Sequence, residues 1–321
     1  MRVLFPMPKD APDASLMRLL TADGWDVERC ATDEVGARGA HVDVVIAPGT
    51  PLDAATIEAG GFGLIQQSGV GLDKIDVDAA TRAGVWVSRI PSTVSGSDGA
   101  VAEIAVLFVL ALNRNLEPAR AALADGKPDR HISSSLAGKS ACIVGFGGIG
   151  RAIAVRLRAF GMHVSAVDSK PDRTLPPDVA DVPMRPMSEL RDALAAADNV
   201  VLAIDYNTSM KNMFDASLLA AIKRGAYLVN IARGGLIDPD ALTAALRSGA
   251  LAGAGLDVFW HEPVDPHHPV FTQNVIATPH VAGLTDLTEA GSNDAVRANL
   301  ARYQRGEQPR YLANDVSNVR R

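Results

Sequence analysis

Residues 139–168 read KSACIVGFGGIGRAIAVRLRAFGMHVSAVD. An apolar run, Ser140–Val144, meets the series Gly145-Phe146-Gly147-Gly148-Ile149-Gly150. A helical pattern follows, with Ile153, Leu157 and Phe160 at helical spacing. Gly161 supplies a helix stop, and a second apolar run, His163–Val167, ends at Asp168. Strand, glycine loop, helix and strand in this order form a dinucleotide-binding unit, and the missing side chains explain why. Gly145 permits the tight turn, Gly147 lets the backbone approach a pyrophosphate, and Gly150 allows close contact between helix and strand. The helix start at Gly148 and Ile149 offers N–H groups and positive potential to phosphates. On this stretch alone, glycines serving only a tight turn remain the alternative.

Asp168 stands eighteen residues after Gly150. A carboxylate there accepts hydrogen bonds from ribose hydroxyls and repels a 2′-phosphate, which favours NAD over NADP. Lys170 and Arg173 lie close enough to keep NADP open, and an aspartate capping a surface turn is the alternative.

Outward from this unit, strand-like runs alternate with helical patterns. After it come Asn199–Ile204, Tyr227–Ile231, Ala254–Val258 and Val275–Ala277, which with the first two make six strands. Before it come Val3–Phe5, Asp43–Ala47, Gly63–Gln66 and Val85–Ser88, separated by the helical stretches Ala14–Ala22, Leu52–Ala59 and Ile75–Ala83. The predicted class is α/β, with two Rossmann-like domains built on doubly wound parallel sheets. The stretch PSTVSGSDG, residues 91–99, reads as a flexible connection into a long apolar helix buried nearly all round. Near the other end TDLTEAGSNDAVRANLARYQRGE reads as a late helix. A cofactor domain, 99–283, is thus expected as an insertion into a flavodoxin-like substrate domain made of 1–98 plus 284–321. A small ligand would sit in a cleft between them.

Composition narrows the function classes. The chain has 321 residues, 47% hydrophobic and 21% charged, enough for a sizeable core. A net charge of −6, a pI near 5.6 and no run of five basic residues argue against nucleic acid and anionic membrane surfaces as partners. Cys30 and Cys142 sit in apolar contexts and read as reduced core residues. The start, MRVLFPMPKDAPD, is unlike a signal peptide, and the apolar run Ile104–Leu112 is too short to span a bilayer. A cytoplasmic protein is expected.

Three stretches carry chemistry at expected strand ends. YLVNIARGGLIDPDAL puts Arg233 after a strand, with Asp238 and Pro239 opening the next helix. AGAGLDVFWHEP places Asp257 in a strand and Glu262 beyond it, and NVIATPHVAGLT delivers His280 where an apolar run ends. Ligands of open α/β sheets bind outside the carboxyl ends of the strands, where all three side chains could converge. For His280 alone, a satisfied structural histidine is the alternative; for Arg233 a salt-bridge partner, and for Asp257 a turn residue. Glu103 in the long helix reads as a structural hydrogen-bonding group. His41, His131 and His163 belong to no motif. The prolines of HEPVDPHHP deny His261, His267 and His268 the helical spacing of zinc motifs, so no metal is expected.

Together GVGLDKID, VAEIAVLFVLALNR, LAGKSACIVGFGGIGR, VNIARGGLID, LDVFWHEP and TPHVAG resemble the D-isomer-specific 2-hydroxyacid dehydrogenases over nearly the full length. L-lactate and malate dehydrogenases differ in carrying the glycine series near the amino terminus. The resemblance implies an NAD-dependent enzyme moving a hydride between the nicotinamide and a small D-2-hydroxy acid/2-keto acid pair, such as glyoxylate or hydroxypyruvate. It implies a homodimer formed through the cofactor domain. Under it, His280 is the acid–base, and Glu262 orients the imidazole and supports its positive charge. Arg233 binds the substrate carboxylate and polarises the carbonyl. The N–H groups of Val70 and Gly71 hold the carboxylate, while Ala232 and Asp257 face the cofactor, Asp257 at the carboxamide. Chemically, a 2-keto acid needs an anion anchor, a proton donor and a hydride source, and these groups supply one each.

Two departures and three rivals belong beside this. AIDYNTSMKNMF, with Asp205 and Tyr206, replaces the family's proline–threonine stretch, and no stretch is left for the regulatory domain of some phosphoglycerate dehydrogenases, so serine feedback is not expected. Formate dehydrogenases replace the glutamate that is present here as Glu262. A phosphite-type dehydrogenase and an NAD(H)-sensing corepressor-type binding protein are the alternatives. The segments Gly49–Leu52, Gln67–Leu72 and Pro91–Val94 are the candidate lining that would select the substrate.

Overall fold

The computed structural model describes residues 1–7, 14–128 and 132–320; His131 and the charged, proline-rich residues 8–13 lie outside them. The chain forms two compact units, Met1–Gly96 with Asp286–Arg321, and Ser97–Thr285.

In the first unit five parallel strands, β1 (Arg2–Pro6), β2 (Asp26–Cys30), β3 (Val44–Ala47), β4 (Leu64–Gln67) and β5 (Trp86–Ser88), lie in the order β2-β1-β3-β4-β5. This is the flavodoxin-like order. Successive side chains alternate between two apolar layers, as the pleat requires. Leu4, Val45, Ile65 and Val87 face one layer with Ile57 and Ala80. Val3, Phe5, Ile46 and Leu64 face the other with Leu16, Leu20, Val296 and Leu300. The last two come from the late helix Asp286–Gln304, whose buried Asn299 donates to Gln66 Oε1 at 3.0 Å and to Ser88 Oγ at 2.9 Å.

The second unit carries seven parallel strands: β6 (Ser140–Val144), β7 (His163–Asp168), β8 (Met184–Pro186), β9 (Asn199–Leu202), β10 (Ala226–Asn230), β11 (Leu251–Leu256) and β12 (Val275–Ala277). Their order is β12-β11-β10-β9-β6-β7-β8, so the direction of winding reverses between β6 and β9. The carboxyl ends are flush: Val144 pairs with Val167 and with Leu202, Leu202 with Asn230, Asn230 with Leu256, and Leu256 with Ala277. Every loop leaving these ends therefore emerges along one edge, at the topological switch point.

Two strands exceed the sequence expectation, β2 and β8. Both are sheet edges with polar or proline-containing sequences, DVERC and MRP. The connection at 91–99 is helical rather than flexible: Ser92–Ser95 and Ser97–Asn113 are helices broken only at Gly96, whose φ is 80°. The helix Ser97–Asn113 buries Val101, Ala105, Phe108 and Leu112, but Glu103 and Leu107 on one stripe are exposed, Leu107 at 48%. Burial raises the Cys30 thiol to about 11 and the Cys142 thiol to about 12, so neither is a reactive thiolate near neutral pH.

At the amino ends of β6 and β9, Asp198 accepts from Ser140 N at 2.9 Å and from Lys223 Nζ at 2.6 Å. Burial opposes its ionisation, but the Lys223 ammonium and the Ser140 donors outweigh this and bring it from 3.8 to about 2. A carboxyl lowered on folding stabilises above its unfolded value and loses that contribution as pH falls through the folded one. Between pH 4 and 2 the protein should therefore lose about 2 kcal/mol that Asp198→Asn does not lose. Equal acid sensitivity of both proteins in chemical denaturation would refute this.

Candidate functional site

The glycine loop follows β6 and opens the helix Gly148–Ala159. Gly145 has φ 92°, and a Cβ on it would stand 2.5 Å from Ala203 O and Ile204 Cα, so the turn must lie tight against the end of β9. A Cβ on Gly150 would collide with Gly145 O and press on Ile143 Cγ2. A Cβ on Gly147 would meet nothing within 4 Å. Two glycines thus close the turn from inside, while the third leaves the helix amino terminus open to a phosphate.

At the end of β7 Asp168 is 8% exposed. Its Oδ2 accepts from Phe146 N at 2.7 Å and from Arg173 Nη2 at 2.8 Å, and its Oδ1 accepts from Lys170 N at 2.9 Å. Burial opposes its charge, but the Phe146 and Lys170 N–H groups and Arg173 outweigh it and hold the carboxyl below the usual range. The same Arg173 nitrogen donates to Phe146 O at 2.6 Å, tying the end of β7 to the glycine loop.

On the other side of the switch point three loops meet. After β10, the buried Asn230 accepts from Ala232 N at 3.1 Å and donates to Arg233 O at 2.9 Å, while Arg233 Nη1 donates to Ala232 O at 2.8 Å. Next in sequence, Gly234 lies against the backbone of Phe259, where any Cβ would collide. Phe259 N donates to Glu262 Oε1 at 3.1 Å, and Glu262 Oε2 stands 2.8 Å from His280 Nδ1. With Nδ1 engaged, Nε2 is the ring nitrogen left for proton exchange. Arg233, Glu262 and His280 are therefore linked through one short series of contacts.

His280 is held in the left-handed region, φ 56°. Asp257, 1% exposed, does most of the holding. Its Oδ1 accepts from Thr278 Oγ1 at 2.6 Å and Val281 N at 2.9 Å, and its Oδ2 accepts from Ala282 N at 3.1 Å. His280 N donates to Asp257 O at 2.7 Å. The carboxylate thus brackets the histidine on both sides, a use that sequence reading missed along with Asn230 and Thr278. Asn230 bonds backbone groups, Asp257 mostly so, and Thr278 donates to the Asp257 carboxylate; no motif marks such contacts.

The remaining residues fall elsewhere. His268 stacks on Trp260, ring centroids 5.1 Å apart, and its Nδ1 accepts from Val270 N at 3.2 Å. Glu103 is exposed on the helix Ser97–Asn113. Tyr206 packs partly buried beside Gly235, where a Cβ would stand 2.9 Å from its hydroxyl. Val70 and Gly71 belong to the first unit, in the loop after β4, where Gln67 Nε2 donates to Gly71 O at 2.8 Å. Among the described residues their N–H groups have no protein acceptor.

Known proteins share this fold and parts of this sequence. The NAD binding domain model of D-isomer specific 2-hydroxyacid dehydrogenases matches residues 106–282. Glyoxylate reductase of Thermococcus onnurineus is 35% identical over 269 residues, 80% of this chain and 78% of that protein. D-3-phosphoglycerate dehydrogenase of Methanocaldococcus jannaschii is 33% identical over 86% of this chain, but the match spans only 51% of that longer protein. The structure of an NADPH-dependent glyoxylate/hydroxypyruvate reductase from Sinorhizobium meliloti, with NADP and malonate, aligns at TM-score 0.85 and 26% identity. That alignment covers 100% of this chain and 98% of the other. With a phosphate-ready glycine loop at one side of the crevice and an Arg–Glu–His series at the other, the chain belongs to the D-isomer specific 2-hydroxyacid dehydrogenases and is an NAD-dependent oxidoreductase of 2-hydroxy acids.

Proposed function

We propose that this enzyme reduces a small 2-keto acid to its D-2-hydroxy acid, with glyoxylate and hydroxypyruvate the first candidates. The observation that carries the reading is the 2.8 Å contact between His280 Nδ1 and Glu262 on the loop beside Arg233. Gly147 and the helix behind it would take the pyrophosphate, and Gly148, Ile149 and Gly150 its first turn. Asp168, with a single partner on Oδ1, would accept from the adenosine ribose. Ala232 and the less engaged Oδ2 of Asp257 would face the carboxamide. When bound, NADH supplies the hydride that adds to the keto carbon. His280 Nε2 gives its proton to the keto oxygen as that oxygen gains charge, and Glu262 steadies the imidazolium beforehand. Arg233 anchors the carboxylate and polarises the carbonyl.

The apolar side chains of Leu107, Val155 and Phe160 stand exposed on the helix Ser97–Asn113 and on the mutually packed helix Gly148–Ala159 with its C-cap. This supports a homodimer through the cofactor unit; a solution mass of one chain would remove that part. The buried, unreactive Cys30 and Cys142 support a reducing, cytoplasmic setting.

The test is NADH and NADPH oxidation across a panel of 2-keto acids. Turnover of none, with NADH still bound, would remove the reading and turn attention to phosphite and to cofactor sensing. In parallel, Asp168→Ala should lower the preference for NADH over NADPH by at least ~10-fold, because it removes the repelling carboxylate and frees Arg173 for a 2′-phosphate. An unchanged preference would show that Asp168 does not select the cofactor.

A further inference from the structure

Asn230 ends β10 at 1% exposure, yet its side chain takes no part in the sheet. It turns onto the next loop, where Oδ1 accepts from Ala232 N at 3.1 Å and Nδ2 donates to Arg233 O at 2.9 Å. One bond fixes the N–H before the Ala232–Arg233 peptide, and the other fixes the carbonyl after it. Asn230 thus holds the two peptides that flank the Ala232–Arg233 peptide, before and after. Its own carbonyl, Ala232 O, is where Arg233 Nη1 rests at 2.8 Å. The guanidinium therefore rests on a peptide whose two neighbours Asn230 holds, while the backbone of Phe259 blocks the chain just beyond, at Gly234. Long arginine side chains lose much rotamer freedom when aimed, and a stationary main-chain acceptor reduces what binding must still remove.

We propose that Asn230 is a positioning residue for Arg233: it aims the guanidinium at the substrate carboxylate through the Ala232–Arg233 peptide. The proposal rests on Arg233 being the carboxylate anchor. A residue that merely satisfied buried backbone groups would change stability and leave substrate affinity alone. Asn230→Ala removes both bonds. Asn230→Asp keeps the acceptor and loses the donor, and serves if the alanine variant does not fold. The quantities to measure are KM for the best 2-keto acid, Ki for oxamate as an unreactive analogue, and Kd for NADH, in wild type, both Asn230 variants, Arg233→Ala and the double variant.

The expected result is a rise of about 10-fold in KM and oxamate Ki for Asn230→Ala, a smaller rise for Asn230→Asp, and NADH Kd within about twofold. The double variant should be no worse than Arg233→Ala alone, since Asn230 acts only through that side chain. Unchanged KM and Ki beside an impaired Arg233→Ala would overturn the proposal, and so would full additivity. If Arg233→Ala itself leaves KM and Ki unchanged, the anchor reading fails and this one with it.

Discussion

Replacing His280 by alanine is expected to lower kcat by at least ~10²-fold while NADH binds nearly as before. The imidazole has its Nδ1 engaged by Glu262, and under the proposed function its Nε2 protonates the keto oxygen. The backbone there complicates the choice of variant. At φ 56° most side chains are strained, and asparagine tolerates that region better than others. His280→Asn therefore removes the acid–base with the least disturbance of the loop, and it should be as slow as His280→Ala. Turnover near wild type in either variant would remove His280 from the mechanism.

Under the proposed function, Arg233→Ala should reduce kcat/KM by ~10²–10³-fold, because it would take away both the carboxylate anchor and the charge that polarises the carbonyl. Arg233→Lys should recover only part of this, since a lysine ammonium cannot reproduce the two-pronged geometry of a guanidinium. Thermal melting separates the roles. A lowered melting temperature with unimpaired kinetics would make Arg233 a structural residue.

Which features were legible beforehand follows from their physics. The glycine series announces itself because a missing Cβ is a residue identity, and at Gly145 and Gly150 the backbone approaches that require it are present. Buried strands such as Val44–Ala47 and Asn199–Leu202 are continuous apolar runs. The edge strand Asp26–Cys30 alternates polar residues against a single partner strand, and its pattern is indistinct. Gly96 marks a break correctly, but whether its neighbours coil or wind depends on tertiary support that composition does not carry. Leu107 looks like core because the whole helix is apolar; only the fold shows that it stands half exposed. Asn230 and Asp257 act on backbone atoms of adjacent loops, and Thr278 on the Asp257 carboxylate, so their importance lies in strand register and not in any spacing along the chain.

The split of the first unit has a consequence for biosynthesis. Its layer on one face of β1, β3 and β4 lacks Val296 and Leu300 until the ribosome has passed the whole inserted unit, and Gln66 and Ser88 wait equally long for Asn299. The inserted unit is a single uninterrupted run, Ser97–Thr285, and all its strands have emerged before that last helix exists. Domains tend to fold as units while the chain is being made. The cofactor unit can therefore mature first, and the unit begun before it is completed after it.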